Sequence, residues 1–445
     1  MNATLLLGLT LQAAAVAVVL TTLRRRWLAS AGGLFVAVAF LYHGLSEIVQ
    51  RAFPGHNDYR MLVGLASVDL WTVLAGAAML CFAAAYCLTF LGLGPRRRRV
   101  ARLPLVSGVP GWGVLLILSV VSRLVMLSGQ DLGYWVNNIA AYFSGLMLVL
   151  GCAGLVLRKG PAYVLPAALG SSLFLALGGS RGEVVLYVVL LLGVLKRLDM
   201  PLRFSRLVAL GAVVAVLVIL ISAARVASGR LDQQAENTAP ALADRFQWLA
   251  SGSQVAGAGE QQLTALAEDF SYRFDGNAFP ALVLEDLQAR QTTPGLTSFW
   301  RNFVLQIPSV LMPGKLDQDP RMLFEEDYSI TYFRLPEGID YLPMTLGILF
   351  TYYGGPGLLL FALLLGAMYG LVDHVAMQPR SLVALLTGIS FSWAALRMEQ
   401  GVMVYFGTIR TLLMYLVAIG PVALLWWMTR AVVRTLRFEL KMSTR

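Results

Sequence analysis

Long apolar runs alternate with short polar segments along most of the chain, and each run is close to the length that crosses a bilayer as a helix. The runs lie near residues 3–22, 27–48, 62–92, 104–127, 138–157, 161–178, 183–196, 207–224, 344–372, 382–398 and 400–429. This pattern predicts an all-α polytopic membrane protein with about eleven transmembrane helices. The 344–372 run is long for one span and contains Gly354-Gly-Pro356, so a half-helix, a break and a full span are expected there.

One long polar interval, residues 225–342, interrupts the apolar pattern. It divides the chain into transmembrane helices in 1–224, a loop with short amphipathic helices in 225–342, and further transmembrane helices with a basic tail in 343–445. Segment 299–312 mixes aromatic and aliphatic residues but is too short to span, so it is predicted to lie in the membrane interface. A surface helix packed on the loop's own core is the alternative.

The basic residues are distributed unequally between the two sides of the predicted bundle. One side carries 20 of the 35 Lys and Arg residues, including Arg24-Arg-Arg26, the 96–99 arginine run and the tail. By the positive-inside rule this side is cytoplasmic, which predicts an extracytoplasmic N-terminus, a cytoplasmic C-terminus and an extracytoplasmic 225–342 loop. Sugar nucleotides and ATP are absent there, so a group transfer would need a donor already activated in the membrane, such as a lipid pyrophosphate.

Composition excludes several classes of protein. The chain is 58% hydrophobic and 13% charged, with a mean hydropathy of +0.69, whereas soluble domains average about 25% charged residues. The net charge of +10 is explained by the topology signals and by contacts with anionic membrane lipid, so no nucleic-acid partner is predicted. All three cysteines fall in apolar runs, which disfavours a disulfide or a cysteine-based zinc site in the loop.

Charged residues inside spans are costly, so those present need a physical reason. Four arginines fall in the outer halves or at the outer ends of apolar runs: Arg123, Arg181, Arg397 and Arg410. Guanidinium groups bind phosphate in a bidentate way and stay protonated, so the set predicts an outward-facing anion site. The alternative is that they snorkel to headgroups or form interhelical clamps with Glu183 and Glu399.

The loop contributes further candidates. It holds 16 acidic against 9 basic residues, so anion binding there must be local, and Arg273, Arg301 and Lys315 are predicted to bind it because each lies beside aromatics or a Pro-Gly turn. A general base is also needed if a hydroxyl is the nucleophile. Glu399 and then Asp275 are the best carboxylates because each lies near an arginine that keeps it ionised.

Other chemistry is weakly indicated. Asp317-Gln-Asp319 offers oxygen ligands for a divalent metal, but such a pattern is common and no metal or other cofactor is predicted. The loop contains no histidine, so a histidine-centred triad or zinc site is not expected there. The chain has no GxxxxGK[ST] phosphate loop, which disfavours an ATP-driven pump.

Short motifs in residues 175–420 carry a resemblance to a known family. The motifs are Gly178-Gly-Ser-Arg-Gly-Glu183, Phe303-Val-Leu-Gln-Ile-Pro-Ser-Val-Leu-Met-Pro-Gly-Lys315, Pro343-Met-Thr-Leu-Gly, Gly354-Gly, Leu396-Arg-Met-Glu399 and Arg410. In order and spacing they are similar to the Wzy-type oligosaccharide repeat-unit polymerases, particularly that of enterobacterial common antigen. The chain departs from the family pattern at Lys315, where the family has arginine, and at Met398, which separates Arg397 from Glu399.

The resemblance implies a GT-C-type, metal-independent, inverting glycosyltransferase in the bacterial inner membrane, with its active site facing the periplasm. Its donor and acceptor would be oligosaccharides on undecaprenyl pyrophosphate, and a chain-length-regulating co-polymerase is a candidate partner. The O-antigen ligases share this architecture but rely on a histidine in or near the large loop, which this loop lacks. A lipid-oligosaccharide or anion transporter is the alternative from another class, although it would need polar residues at mid-membrane and repeated halves.

Overall fold

The computed structural model describes most of the apolar runs and part of the polar interval. The described residues are 2–52, 60, 62–94, 111–127, 143–176, 181–227, 275–290, 292–307, 312, 314, 325–335, 341–377, 382–413 and 428. Within these ranges the regular structure is helical throughout, without a strand. The prediction of an all-α protein is confirmed for this part of the chain.

Most of the described helices coincide with apolar runs, and three short ones lie within the polar interval 225–342. They are α1 (Ala3–Leu23), α2 (Ala31–Ala52), α3 (Leu65–Gly92), α4 (Gly111–Leu127), α5 (Leu148–Lys159), α6 (Val164–Ala176), α7 (Arg181–Arg197), α8 (Phe204–Ala227), α9 (Ala278–Arg290), α10 (Leu296–Gln306), α11 (Glu325–Phe333), α12 (Thr345–Ala376), α13 (Leu382–Leu396) and α14 (Met403–Leu413). Among the described residues, five of these helices are long and apolar enough to cross a membrane: α1, α2, α3, α8 and α12. The chain is therefore a helical membrane protein.

Helix α2 begins later than the apolar pattern alone predicts. Residues 27–29 belong to a 3₁₀ turn, Arg24–Ala29, and the helix starts after Ser30, whose hydroxyl accepts a hydrogen bond from the Gly33 amide at 2.7 Å. The helix then continues beyond residue 48 to Ala52. The side-chain cap sets the start of the helix, and hydropathy does not show it.

Contacts between side chains fix the relative directions of the central helices. Asn2 binds Asp69 near the start of α1 and α3, and Thr22 lies 3.2 Å from the Cys87 sulfur near their ends, so these two helices run parallel. Tyr86 hydrogen-bonds Ser30 at the start of α2, which therefore runs antiparallel to α3. We call the end that holds the starts of α1, α3 and α12 and the ends of α2 and α13 the upper end, and the opposite one the lower end.

A polar cluster closes the lower end of the bundle. Asp373 on α12 accepts hydrogen bonds from the Ser30 hydroxyl, the Ala31 and Gly32 amides and the Tyr86 hydroxyl, at 2.6–3.0 Å. The carboxylate of one helix thereby satisfies the first amides of another. This contact joins α12, α3 and α2 with no charge exposed to lipid.

Arg197 reinforces this junction. Arg197 is 4% exposed, and its guanidinium donates to the Ala29 carbonyl at 2.8 Å and to the Ser392 hydroxyl at 2.7 Å. The distribution of basic residues in the sequence predicts that Arg197 faces the cytoplasm. Its burial shows that this residue holds α7 against the start of α2 and against α13.

Helix α12 is broken, as the Gly354-Gly-Pro356 motif predicts. Gly354 has φ +67° and ψ −169°, a conformation that a helix cannot contain. The preceding segment, 345–352, is buried throughout. The Tyr352 carbonyl beside the break accepts a hydrogen bond from the Gly295 amide at 2.9 Å, so part of the polar interval satisfies the interrupted backbone.

Part of the polar interval is built into the bundle. Residues 275–284 are all buried, and α9 packs between α3 and α12. The Gly276 amide donates to the Tyr42 carbonyl of α2 at 3.3 Å, and the Gly64 amide before α3 donates to Glu285 at 2.9 Å. The start of α9 is thus a structural element of the upper end, whereas the sequence treated the whole interval as a loop above the bundle.

Candidate functional site

The predicted Arg-Glu pair lies in the turn that connects α13 to α14 at the upper end. Helix α13 ends at Leu396, a 3₁₀ turn covers Met398–Gln400, and Gly401 with φ +69° completes the reversal. The Thr345 hydroxyl at the start of α12 lies within hydrogen-bond distance of the Met398 and Gly401 carbonyls, at 3.1 and 3.0 Å. The backbone that carries Arg397 and Glu399 is therefore fixed to a buried helix end.

Glu399 is held by a hydroxyl from α2. The Tyr42 hydroxyl donates to Glu399 Oε2 at 2.9 Å, and Oε1 has no hydrogen-bond partner among the described residues. Glu399 is half-buried. One carboxylate oxygen is thus fixed by the protein, and the other is left to accept a proton or a hydrogen bond.

Arg397 lies against an aromatic ring, and among the described residues no acid pairs with it. The centre of its guanidinium lies 5.0 Å from the centroid of the Trp393 ring, one helical turn earlier on α13. Its Nε is buried and has no hydrogen-bond partner in the described part of the chain. Stacking on an indole holds a guanidinium in place without using its hydrogen-bond donors. Arg397 therefore keeps donors for an anionic ligand.

Helix α10 brings a second unpaired arginine to the same region. Arg301 lies 5.0 Å from the Tyr328 ring centroid, and its buried Nε and Nη2 have no hydrogen-bond partner among the described residues. The α10 helix contacts α14, because the Phe303 and Phe406 ring centroids lie 6.0 Å apart. These contacts place the arginine-bearing helix against the segment that follows Glu399.

Arg410 lies on the covered face of α14. A Cβ built on Gly407 would lie 3.9 Å from the Gln306 side chain of α10, and Arg410 follows three positions after Gly407 on the same helix face. Arg410 is half-buried, and in the described ranges no hydrogen bond or ion pair engages its side chain. We call Arg301, Arg397, Arg410 and Glu399 the arginine site.

Helix α10 exposes aromatic side chains on one face and buries a polar side chain on another. Trp300 is 64% exposed and Phe303 is 41% exposed, and their rings lie 5.4 Å apart. Asn302, between them in sequence, is buried. An exposed aromatic pair on a helix that is too short to span is typical of the membrane interface, the place predicted for segment 299–312.

Asp275, the second candidate base, is committed to structural contacts. It is 1% exposed and both of its oxygens accept from Arg60 Nη1, at 3.1 and 3.2 Å. Its Oδ1 also accepts from the Asn277 and Ala278 amides at 3.1 and 3.2 Å, which caps α9. This geometry favours an anchoring role for Asp275 and leaves Glu399 as the better placed base.

A buried ion-pair network surrounds Asp275, and sequence reasoning missed it. Glu47 is fully buried and contacts both Arg60 and Arg51, and Arg51 also contacts Asp69. The signal was available, because Glu47 and Arg51 are four residues apart at the end of an apolar run. Arg60 carried no such signal, because only the fold brings it to Asp275.

An amide and an imidazole extend the network toward α2. Asn277 donates to the His43 carbonyl at 2.9 Å and to Glu47 Oε2 at 3.2 Å, and its Oδ1 lies 3.0 Å from His43 Nδ1. Both residues are fully buried. The start of α9 is therefore attached to the upper part of α2 through side chains as well as through the backbone.

The charge of Arg60 is stabilised by its neighbours. Burial by itself lowers the pKa of Arg60, but the Asp275 and Glu47 carboxylates outweigh this effect and raise the pKa above its usual value. The guanidinium therefore stays protonated, and the network contains both signs of charge.

Arg123 forms the interhelical clamp that was the alternative to anion binding. It is buried, and its Nη2 donates to Glu183 Oε2 at 2.8 Å, joining α4 to α7. A second guanidinium nitrogen, Arg123 Nε, is buried without a hydrogen-bond partner in the described part. The predicted anion-binding role of Arg123 therefore competes with a structural ion pair.

The remaining predicted residues have no described side-chain environment. Arg181 is the first residue of α7, and its side chain lies outside the described part of the structure. Arg273, Lys315, Asp317 and Asp319 lie outside the described residues. Among the residues that the structure does describe, no group of three or more His, Cys, Asp or Glu side chains is placed to hold a metal ion.

Comparison of the chain with protein-family models, with characterised proteins and with solved structures gives no match. The fold by itself shows a helical membrane protein, and its upper end carries the half-buried residues Arg301, Arg397, Arg410 and Glu399.

Proposed function

We propose that this protein is a membrane-embedded glycosyltransferase that acts on anionic lipid-linked substrates at the outer face of a bacterial inner membrane. More particularly, we propose that it polymerises oligosaccharide repeat units carried on undecaprenyl pyrophosphate. The observation that supports this most strongly is the arginine site, in which three guanidiniums lack carboxylate partners among the described residues, while Glu399, two residues after Arg397 in the same turn, is held by Tyr42.

The proposed topology has eleven spans, an extracytoplasmic N-terminus, a cytoplasmic C-terminus and a GT-C-like arrangement. The distribution of charge in the described helices supports it. Nine basic residues of the described ranges lie at the lower end: Arg24, Arg25, Arg26, Arg158, Lys159, Lys196, Arg197, Arg203 and Arg206. At the upper end, Arg51, Arg60 and Arg123 are instead paired with acids. By the positive-inside rule the lower end is cytoplasmic and the arginine site faces the periplasm.

The proposed reaction forms one glycosidic bond and breaks one bond to phosphate. An acceptor sugar hydroxyl attacks the anomeric carbon of the donor, and the bond from that carbon to the pyrophosphate oxygen breaks with inversion. The pyrophosphate leaves with the electron pair, and Glu399 takes the hydroxyl proton. Arg397, Arg410 and Arg301 stabilise the charge that develops on the leaving group.

The geometry at this site suits such a leaving group. Guanidiniums that are partly withdrawn from water bind phosphate oxygens more strongly than exposed ones. The exposed Trp300 and Phe303 on α10 would sit among lipid headgroups and place the lipid pyrophosphate next to Arg301. Arg181, Arg273 and Lys315 remain predicted contributors.

The decisive experiment uses purified full-length protein in lipid nanodiscs with undecaprenyl-pyrophosphate-linked repeat units and no nucleotide or added metal. The expected product is a ladder of polymer on the lipid. Arg397→Ala and Arg410→Ala should each reduce ladder formation at least about 100-fold, whereas Arg203→Ala, an exposed arginine at the lower end, should not.

Several outcomes would contradict the proposal. Wild-type activity in Arg397→Ala and Arg410→Ala would remove the arginine site from the reaction. If a chelator abolishes ladder formation, the reaction needs a divalent metal, and Asp317 and Asp319 become the candidate ligands. Movement of lipid-linked units across proteoliposomes without any new glycosidic bond would identify a transporter.

A further inference from the structure

Tyr42 lies in a local irregularity of α2. Residues Leu41–Leu45 form a π turn, in which the Ser46 amide bonds the Leu41 carbonyl five residues earlier. Such turns insert one extra residue, widen the helix and are frequent at functional sites. Here the widened turn presents both the backbone and the side chain of Tyr42 to other parts of the upper end.

Two hydrogen bonds of Tyr42 reach different segments of the chain. Its carbonyl accepts from the Gly276 amide at 3.3 Å, and its hydroxyl donates to Glu399 Oε2 at 2.9 Å. Gly276 leaves room for this approach, because a Cβ there would lie 3.0 Å from the same carbonyl oxygen. A single residue thus links the start of α9 to the turn that carries the arginine site.

The backbone near Tyr42 is fixed independently of Glu399. The adjacent His43 is bound through its carbonyl and ring to Asn277, at 2.9 and 3.0 Å, and both of these residues are fully buried. Tyr42 therefore presents its hydroxyl from a rigid base. A hydrogen-bond donor held in this way favours one orientation of the half-buried Glu399 carboxylate, so fewer rotamers of Glu399 are unproductive.

We propose that Tyr42 is the positioning residue of Glu399. The Tyr42 hydroxyl donates a hydrogen bond to Glu399 Oε2, and this bond orients Oε1 toward the hydroxyl of the acceptor sugar. This inference rests on the proposed function, because it assigns how the base of that reaction is oriented. Tyr42 itself transfers no proton in the step. The Glu399 carboxylate takes the proton on Oε1 while Oε2 keeps the hydrogen bond from Tyr42.

The test uses Tyr42→Phe, which removes the hydroxyl and keeps the ring and the Gly276 contact. Its turnover on lipid-linked repeat units is measured in nanodiscs against wild type and against Tyr163→Phe, an exposed tyrosine at the lower end. We expect kcat to fall about tenfold or more in Tyr42→Phe, because the lost hydrogen bond is to a charged group. KM should stay within about twofold, since the bond orients the base and does not bind substrate.

A second measurement reports the hydrogen bond without relying on activity. Thermal unfolding of wild type, Tyr42→Phe, Glu399→Ala and the double variant forms a double-mutant cycle. The expected result is non-additivity, with Tyr42→Phe having almost no effect once Glu399 is removed. Additive effects would show that the two side chains do not interact in the folded protein and would overturn the inference.

The remaining outcomes separate this inference from the proposed function. If the wild type is active and Tyr42→Phe has the same kcat, the positioning role of Tyr42 is overturned and the proposed function stands. The hydrogen bond would then be structural only. A wild type that forms no product under any of these conditions would overturn the proposed function, and the positioning role would fall with it. A loss of kcat together with non-additive unfolding supports the assignment.

Discussion

The Arg60 guanidinium binds both oxygens of Asp275 from one nitrogen, at 3.1 and 3.2 Å, although the two residues are 215 positions apart in sequence. Its other terminal nitrogen contacts Glu47, which is fully buried. Arg60 therefore holds the start of α9 and the end of α2 together. This pairing makes part of the polar interval a component of the helix bundle.

Removal of Arg60 should destabilise the protein strongly. Arg60→Ala removes a charged partner from each of two buried carboxylates, Glu47 and Asp275, and breaking a buried pair in this way typically costs about 3–5 kcal/mol. Titration with a denaturing detergent, followed by circular dichroism, measures the loss of unfolding free energy. Arg203→Ala serves as the control, since that arginine is exposed. Equal stability of the two variants would show that the network contributes nothing.

The charge on Arg60 should not limit stability near neutral pH. Because its pKa is raised on folding, its contribution is present below the unfolded-state pKa and is lost as pH rises through the folded-state value. Both values lie far above neutral pH. We expect the difference in unfolding free energy between wild type and Arg60→Ala to stay constant from pH 7 to about pH 9, measured in the same unfolding experiment. A difference that shrinks over this range would contradict the assignment.

The contact between α1 and α3 should be sensitive to a single methyl group. A Cβ added at Gly8 would lie 2.7 Å from the backbone carbon of Thr72 and 2.8 Å from the amide nitrogen of Val73. Because backbone cannot move aside cheaply, Gly8→Ala should cost about 1–3 kcal/mol. Gly211→Ala on α8 is the matched control, as no atom lies within 4 Å of its added Cβ. The thermal midpoint of each variant measures the effect, and a loss in Gly211→Ala as large as in Gly8→Ala would refute the packing argument.

Trp393 should affect activity through Arg397. Trp393→Leu keeps an apolar side chain on α13 and removes the ring that the guanidinium lies against at 5.0 Å. A cation–π contact of this kind is worth about 0.5–2 kcal/mol, so we expect kcat to fall between about 2-fold and 30-fold. Trp27→Leu, at the lower end, provides the comparison in the nanodisc assay. Unchanged turnover in Trp393→Leu would mean that the ring does not place Arg397.

The sidedness of the bundle can be measured directly. Single cysteines at Ala66, exposed at the upper end, and at Ala162, exposed at the lower end, are introduced after Cys81, Cys87 and Cys152 are replaced. In intact spheroplasts a membrane-impermeant maleimide should label Ala66→Cys and leave Ala162→Cys unlabelled until the membrane is opened. The reverse pattern would invert the proposed topology.

The sequence by itself determined the helical membrane class, the apolar segments and the break in α12. Spanning length and hydropathy are properties of contiguous residues, and Gly354-Gly-Pro356 favours a break because glycine accepts positive φ and proline clashes with the preceding turn. The candidate residues Arg397, Arg410 and Glu399 also followed from the local rule that charge within an apolar run needs a reason.

Only the tertiary structure decided which charged groups are paired and which keep their donors. Asp275 and Glu399 are similar in sequence terms, since each lies near an arginine. The fold places Asp275 between Arg60 and the amides of α9, and it gives Glu399 one hydroxyl from Tyr42. Pairing depends on contacts between residues hundreds of positions apart, and local pattern carries no information about such contacts.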